Sequence, residues 1–283
     1  MEDGVKLIPH MIILMQKNSS EPINIKSLIM RLFKIIEELK KVNQYQITNL
    51  YSLETIYKIL SIYVTPIFVY LRCSANITTL IALIVGLSAS AFHIIFGYQI
   101  YHICFLLFFL SIIIDYCDGN IARLTNTPSF FGRFIDGLFD IIVIGFFQIS
   151  LLYTVINHSE IYTFDLLVLI NFDFTLILMM VSIFSTPIQH LIYDRYSAYI
   201  RWLNFEHNTK LYPTLRNEIS FKPINLLDDI GFICLVLGII SINFFIIYFI
   251  INLFLSIYLI LVHILFSKKY MSVFADDHRK PDK

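Results

Sequence analysis

The sequence predicts an all-α fold: a polytopic membrane protein of six transmembrane helices preceded by an N-terminal amphipathic, interfacial helical extension. Composition is the first reason, since 57% of the 283 residues are hydrophobic and only 15% are charged, a balance that soluble domains do not keep. Apolar runs are the second. A helix of about 20 apolar residues crosses a bilayer's hydrocarbon core, and runs of that length recur from residue 77 to residue 267. The third is the placing of the 21 Lys and Arg residues, all of which fall in segments that one side of the membrane would hold.

Residues 1–54 read as a cytoplasmic extension. The apolar run at residues 8–15 is short and has neither a strongly basic start nor a small-residue cleavage pattern after it, so a span and not a cleaved leader is expected to direct insertion. Leu28, Ile29, Leu32, Phe33, Ile35, Ile36, Leu39 and Val42 recur at three-to-four spacing opposite Arg31, Lys34, Glu37, Glu38, Lys40 and Lys41. That is the pattern of a helix with one apolar face, suited to a headgroup surface. Residues 55–267 form the membrane domain. The stretch 56–71 contains Pro66 and is short for a crossing, which predicts an interfacial helix. Spans are expected at 77–97, 101–123, 132–156, 164–186, 229–247 and 248–267, the last two divided near Tyr248 within one apolar tract. The polar and aromatic tract 190–229 reads as a cytoplasmic connection, and 268–283 as a polar cytoplasmic tail.

Sidedness follows from the basic residues. Nine lie within 6–72, two are Arg123 and Arg133, five lie within 195–222 and five within 268–283, whereas the connections at 97–99, at 157–163 and near residue 248 hold none. Both termini and the connection after the second span should therefore face the cytoplasm, with the plasma (inner) membrane expected ahead of the endoplasmic reticulum. The four cysteines show no CxxC pairing and the eight histidines no zinc-helix spacing, so neither a disulfide framework nor a zinc site is expected.

Residues 115–140, DYCDGNIARLTNTPSFFGRFIDGLFD, put four carboxylates where lipid-facing sequence should be. A charge at the bilayer centre costs about 2.5–3.5 kcal/mol even on lenient scales, so such groups usually mark a site. At 100° per residue Asp115, Asp118, Gly119 and Ala122 share one face of the second span. Gly132, Asp136 and Asp140, spaced by four, form a stripe on the third. The eight residues 124–131 can serve as the turn that brings the two stripes together. Four converging carboxylates repel one another and call for protonation, arginine partners or cations; hard oxygen ligands suit Mg²⁺, Mn²⁺ or Ca²⁺.

The order Asp115-x2-Asp118-Gly119-x2-Ala122-Arg123-x8-Gly132-x3-Asp136-x3-Asp140 resembles the signature of the CDP-alcohol phosphotransferases, with all eight specified positions filled. At usage of roughly one in fifteen to twenty per residue type, a chance match is well below about one in a million. Asn76 and Thr79 in ANITTL resemble the family's Pro-Asn-x-x-Thr, with Ala75 in place of the proline. The resemblance implies that Asp115, Asp118, Asp136 and Asp140 hold two divalent ions, Mg²⁺ or Mn²⁺, and that Asp140 is also the general base. It implies a donor site of Asn76, Thr79, Asp118, Gly119, Ala122, Arg123 and Gly132. The reaction would move a phosphatidyl or phospho-alcohol group from a CDP-linked donor, CDP-diacylglycerol foremost, to a hydroxyl acceptor and release CMP, in phospholipid biosynthesis. Arg195 and Arg201 are candidates for binding an anionic acceptor. Family members are commonly homodimers, so a homodimer is expected, and no nucleic-acid partner is.

Two other readings compete. An ion-coupled transporter also places carboxylates in the membrane but needs repeats or broken helices around them. An intramembrane prenyltransferase binds diphosphate through metal-held aspartates but needs two acidic clusters and more spans than six.

Overall fold

The computed structural model describes residues 25–43, 53–127, 129–158, 172–207 and 222–275. Among them are α1 (Ile25–Asn43), α2 (Leu53–Tyr70), α3 (Ala75–Phe96), a 3₁₀ turn (Tyr98–Ile100), α4 (Tyr101–Thr125), α5 (Phe130–Asn157), α6 (Phe172–His207), α7 (Lys222–Leu237) and α8 (Asn243–Ala275), and no strand. These residues fall into two compact units. The first lies within Met1–Ala89 and Leu106–Val143, the second within Ser90–Phe105 and Ile144–Lys283.

Among the described residues six helices are long and apolar enough to cross a membrane, namely α2, α3, α4 with its 3₁₀ turn, α5, α6 and α8. The expected count of six stands, but its membership differs in two places. Helix α2 qualifies although its sequence predicts an interfacial helix. Helix α7, at 16 residues, does not.

The first unit is built on α2, α3 and α4. Phe68, Ala82, Ile114, Cys117 and Ile121 form its buried core, so α4 turns its 114/117/121 stripe inward and leaves 115, 118, 119 and 122 on the adjoining face. Cys117 acts as a small apolar residue there. Close approach comes from a missing side chain: a Cβ on Gly86 would lie 2.5 Å from Val143 Cγ1 and 3.1 Å from Ser111 Oγ. Small residues let helices pack closely where lipid removes the hydrophobic drive between them. Gly86→Ala is accordingly expected to cost about 1–3 kcal/mol by overpacking, read as a lower thermal midpoint in detergent.

Helix α1 is amphipathic as its spacing predicts. Ile35, Leu39 and Asn43 are buried, whereas Met30, Phe33, Lys34, Glu37, Lys40 and Lys41 are exposed. Its apolar face rests on Ile62 of α2 and Leu124 of α4. Lys40 and Lys41 sit in the last turn, where cations favour the helix dipole.

Both ends of the turn between α4 and α5 are capped. Asn126 takes a left-handed conformation at φ 52°, which asparagine tolerates. The Thr127 amide then donates to the Ala122 carbonyl at 3.0 Å and the Asn126 amide to that of Arg123 at 3.4 Å, the pairing that satisfies a helix's last carbonyls. Ser129 caps α5, accepting at Oγ from the Gly132 amide at 2.8 Å. The helices thereby take over half of the eight residues expected to form the turn, leaving 126–129 between them.

In the second unit the apolar tract breaks ten residues before the expected division at Tyr248. Helix α7 ends at Leu237, residues 238–242 turn, and Tyr248 lies inside α8. Gly238 makes the break possible, since a Cβ there would stand 2.1 Å from Phe245 Cε1. Tyr98 and Tyr101 hydroxyls donate to the Gly238 and Leu235 carbonyls at 2.6 and 2.7 Å, satisfying groups that a helix end leaves without partners. The fourth span differs too. Residues 164–171 lie outside the described residues, and α6 runs through Pro187 to His207, so the first part of the expected connection 190–229 is helix. Tyr196, Ile200 and Leu203 explain this, forming a buried helical stripe packed with Val262 of α8.

Candidate active site

The signature residues all belong to the first unit. Helix α4 carries Asp115, Asp118, Gly119, Ala122 and Arg123; α5 carries Gly132, Asp136 and Asp140; α3 begins with Asn76 and Thr79 on its first turns. One oxygen each from Asp115, Asp118 and Asp136 come within 4.8 Å of one another. Three carboxylates so placed offer an all-oxygen donor set that could hold a divalent cation. Asp140 lies outside this cluster of three, one turn beyond Asp136 on α5, and remains an electrostatic neighbour of Asp115.

One of these carboxylates is held from a neighbouring helix. Thr79 is buried and donates its hydroxyl to Asp118 Oδ2 at 2.5 Å, so α3 fixes the orientation of an α4 carboxylate. Asn76 is exposed. A Cβ on Gly132 would lie 3.2 Å from Asn76 Oδ1 and 2.9 Å from Ser129 Oγ, so a glycine here lets the start of α5 approach the start of α3 while Ser129 caps it.

Arg123 folds back along α4. Its Nη2 donates to Asn120 Oδ1 at 2.9 Å, and a Cβ on Gly119 would lie 3.4 Å from both Nη1 and Nη2. The bare Gly119 backbone thus leaves room for the guanidinium beside Asp118. Arg123 Nε is buried and has no hydrogen-bond partner among the described residues. Gly119→Leu should push the guanidinium away, because everything beyond its Cβ must enter that space. A rise in donor Kd of at least about tenfold is expected by titration; unchanged donor affinity would contradict this placement.

Arg195 and Arg201 are both exposed on α6 in the second unit, whereas the carboxylates, Asn76, Thr79 and Arg123 belong to the first. Sequence reasoning passed over Asn120, Ser61 and Thr65, which hydrogen-bond to one another behind Arg123. Their only signal was polar side chains on faces that helical periodicity would bury.

Comparison with known families agrees with this geometry. The sequence model of the CDP-alcohol phosphatidyltransferase family matches residues 72–200, a span holding the three clustered carboxylates together with Asn76, Thr79, Arg123, Asp140 and Arg195. No curated protein matches the chain in sequence. Residues 72–200 thus carry the sequence pattern of the CDP-alcohol phosphatidyltransferase family, which supports an enzyme of CDP-alcohol phosphotransferase type, in a chain whose described residues include six helices long and apolar enough to cross a membrane.

Proposed function

We propose that this enzyme transfers a phosphatidyl or phospho-alcohol group from a CDP-linked donor, CDP-diacylglycerol foremost, to the hydroxyl of an acceptor and releases CMP. The observation that carries the reading is the convergence of Asp115, Asp118 and Asp136 within the family-matched span. The three clustered carboxylates fit a divalent cation, and together with Asp140 they would hold a pair of Mg²⁺ or Mn²⁺ ions. Bound there, such ions would offset the diphosphate's charge and make its phosphorus more electrophilic.

The chain's own residues supply the rest. Asp140, set apart from the cluster of three, is the general base that takes the acceptor's hydroxyl proton. The acceptor oxygen bonds to the phosphorus on the lipid or alcohol side of the donor as the bond from that phosphorus to the bridging oxygen breaks, and CMP leaves with the electron pair. Thr79 keeps Asp118 turned into the site. Arg123 meets the diphosphate, and Asn76, Gly119, Ala122 and Gly132 bound the nucleotide. Much of the acceleration is positional, because two bound reactants replace a bimolecular encounter.

The same reading puts the site at the cytoplasmic face of the membrane. Helix α1, with its many basic residues, packs on Leu124 near the end of α4, so the extension and the α4–α5 turn share a side. A homodimer in the plasma (inner) membrane, with residues 55–267 as its catalytic domain, completes the proposal.

The test is CMP release by the detergent-solubilised protein from CDP-diacylglycerol, screened over inositol, inositol phosphate, glycerol phosphate and serine with Mg²⁺ or Mn²⁺. CMP formed only with an acceptor present, and abolished by a chelator, is the expected result. Cation-coupled solute uptake without CMP would favour a transporter, and pyrophosphate release from a prenyl donor a prenyltransferase; either overturns the reading.

A further inference from the structure

The family match begins at residue 72, yet the buried contacts behind Arg123 come largely from before it. Asn120 is buried, and its side-chain amide uses all of its hydrogen-bonding capacity. Oδ1 accepts from Arg123 Nη2 and from Asn43 Nδ2, both at 2.9 Å; Nδ2 donates to Ser61 Oγ at 2.9 Å and to Thr65 Oγ1 at 3.0 Å. Two N–H groups and two lone pairs meet four partners.

The orientation of that amide is fixed from α2. The Ser61 hydroxyl donates to the Lys58 carbonyl at 2.8 Å and the Thr65 hydroxyl to the Ser61 carbonyl at 2.6 Å. With both hydroxyl protons committed, only lone pairs remain for residue 120. Asn120 must therefore turn its N–H groups toward α2 and its oxygen toward Arg123. Asn43, the last residue of α1, closes the arrangement by donating to the same oxygen, while Ile35 and Leu39 of α1 pack beside it on Ile62 and Leu124.

We infer that Asn120 is a positioning residue for donor binding, holding the Arg123 guanidinium through an amide that α2 orients, and that α1 belongs to the same device through Asn43. The inference rests on the reading of Arg123 as the diphosphate's partner. A buried hydrogen bond to a charged group carries enough free energy that its loss reads as roughly tenfold or more in binding. Asn120 touches no reacting atom in this scheme, so its loss should appear in donor KM and leave kcat nearly unchanged.

A double-mutant cycle on CMP release tests this. Asn120→Ala is expected to raise donor KM about tenfold with kcat within about threefold, and Asn43→Ala to raise it about two- to threefold. In the Arg123→Ala background neither should raise it further, because the group they position is gone. Thr65→Val, which removes one acceptor that orients the amide while keeping the residue's shape, should raise donor KM in the same direction; it serves as the readout if Asn120→Ala does not fold. Additive effects in the Arg123→Ala background, or a loss confined to kcat, would overturn the inference and leave the role of Arg123 intact. An unchanged donor KM in Arg123→Ala alone would instead remove the reading on which it stands.

Discussion

Asp140→Asn is expected to lower CMP release by about 10²–10⁴-fold, the range that a positioned general base contributes, while the protein extracts and unfolds as the parent does. The substitution keeps the side chain's shape but replaces one carboxylate oxygen with an amide nitrogen, which cannot take the proton that the proposal assigns to Asp140. Asp140 stands outside the three carboxylates that share a 4.8 Å neighbourhood, so those three stay in place, and the asparagine's amide oxygen keeps one ligand atom for the proposed ions. Donor affinity should change far less than turnover. Near-normal activity in this variant would rule out the base assignment.

Asp118→Ala should have effects of opposite sign on activity and stability. It removes one member of the cluster and the partner of the Thr79 hydroxyl. If the cluster holds the proposed ions, it would supply several kcal/mol of charge stabilisation in the transition state, so activity should fall by two or more orders of magnitude, about tenfold for each 1.4 kcal/mol, and Mn²⁺ should bind more weakly. In metal-free protein, however, removing one of several crowded carboxylates relieves repulsion in surroundings of low dielectric. The thermal midpoint in chelator should hold or rise, by roughly 2–4 °C per kcal/mol relieved. A fall in both activity and metal-free stability would mean that Asp118 is there for the fold.

The site was legible in the sequence because it is local. One helical hairpin supplies all four carboxylates, and spacings of three and four residues dictate which of them share a face before any tertiary contact is known. The caps were legible in part: Ser129 and Asn126 are the residue types that begin and end helices, yet the turn proved shorter than the eight residues expected. What composition could not reveal lies where hydropathy is uniform. Between residues 229 and 267 every window is apolar, so the break at Gly238 depends on the contact of one glycine with Phe245 and on two tyrosine hydroxyls from another part of the chain. The helix through 190–207 was hidden for the converse reason, its charged and aromatic residues masking the stripe Tyr196, Ile200 and Leu203. Asn120 was hidden because its partners, Asn43, Ser61 and Thr65, are 55 to 77 residues away in sequence.

The most direct measurement is the location of bound manganese, by anomalous scattering from crystals grown with Mn²⁺ and a CDP-linked lipid. The account predicts anomalous peaks among the carboxylates of Asp115, Asp118, Asp136 and Asp140, with the donor's diphosphate against them. Manganese bound elsewhere on the chain, or a diphosphate seated away from these side chains, would contradict it.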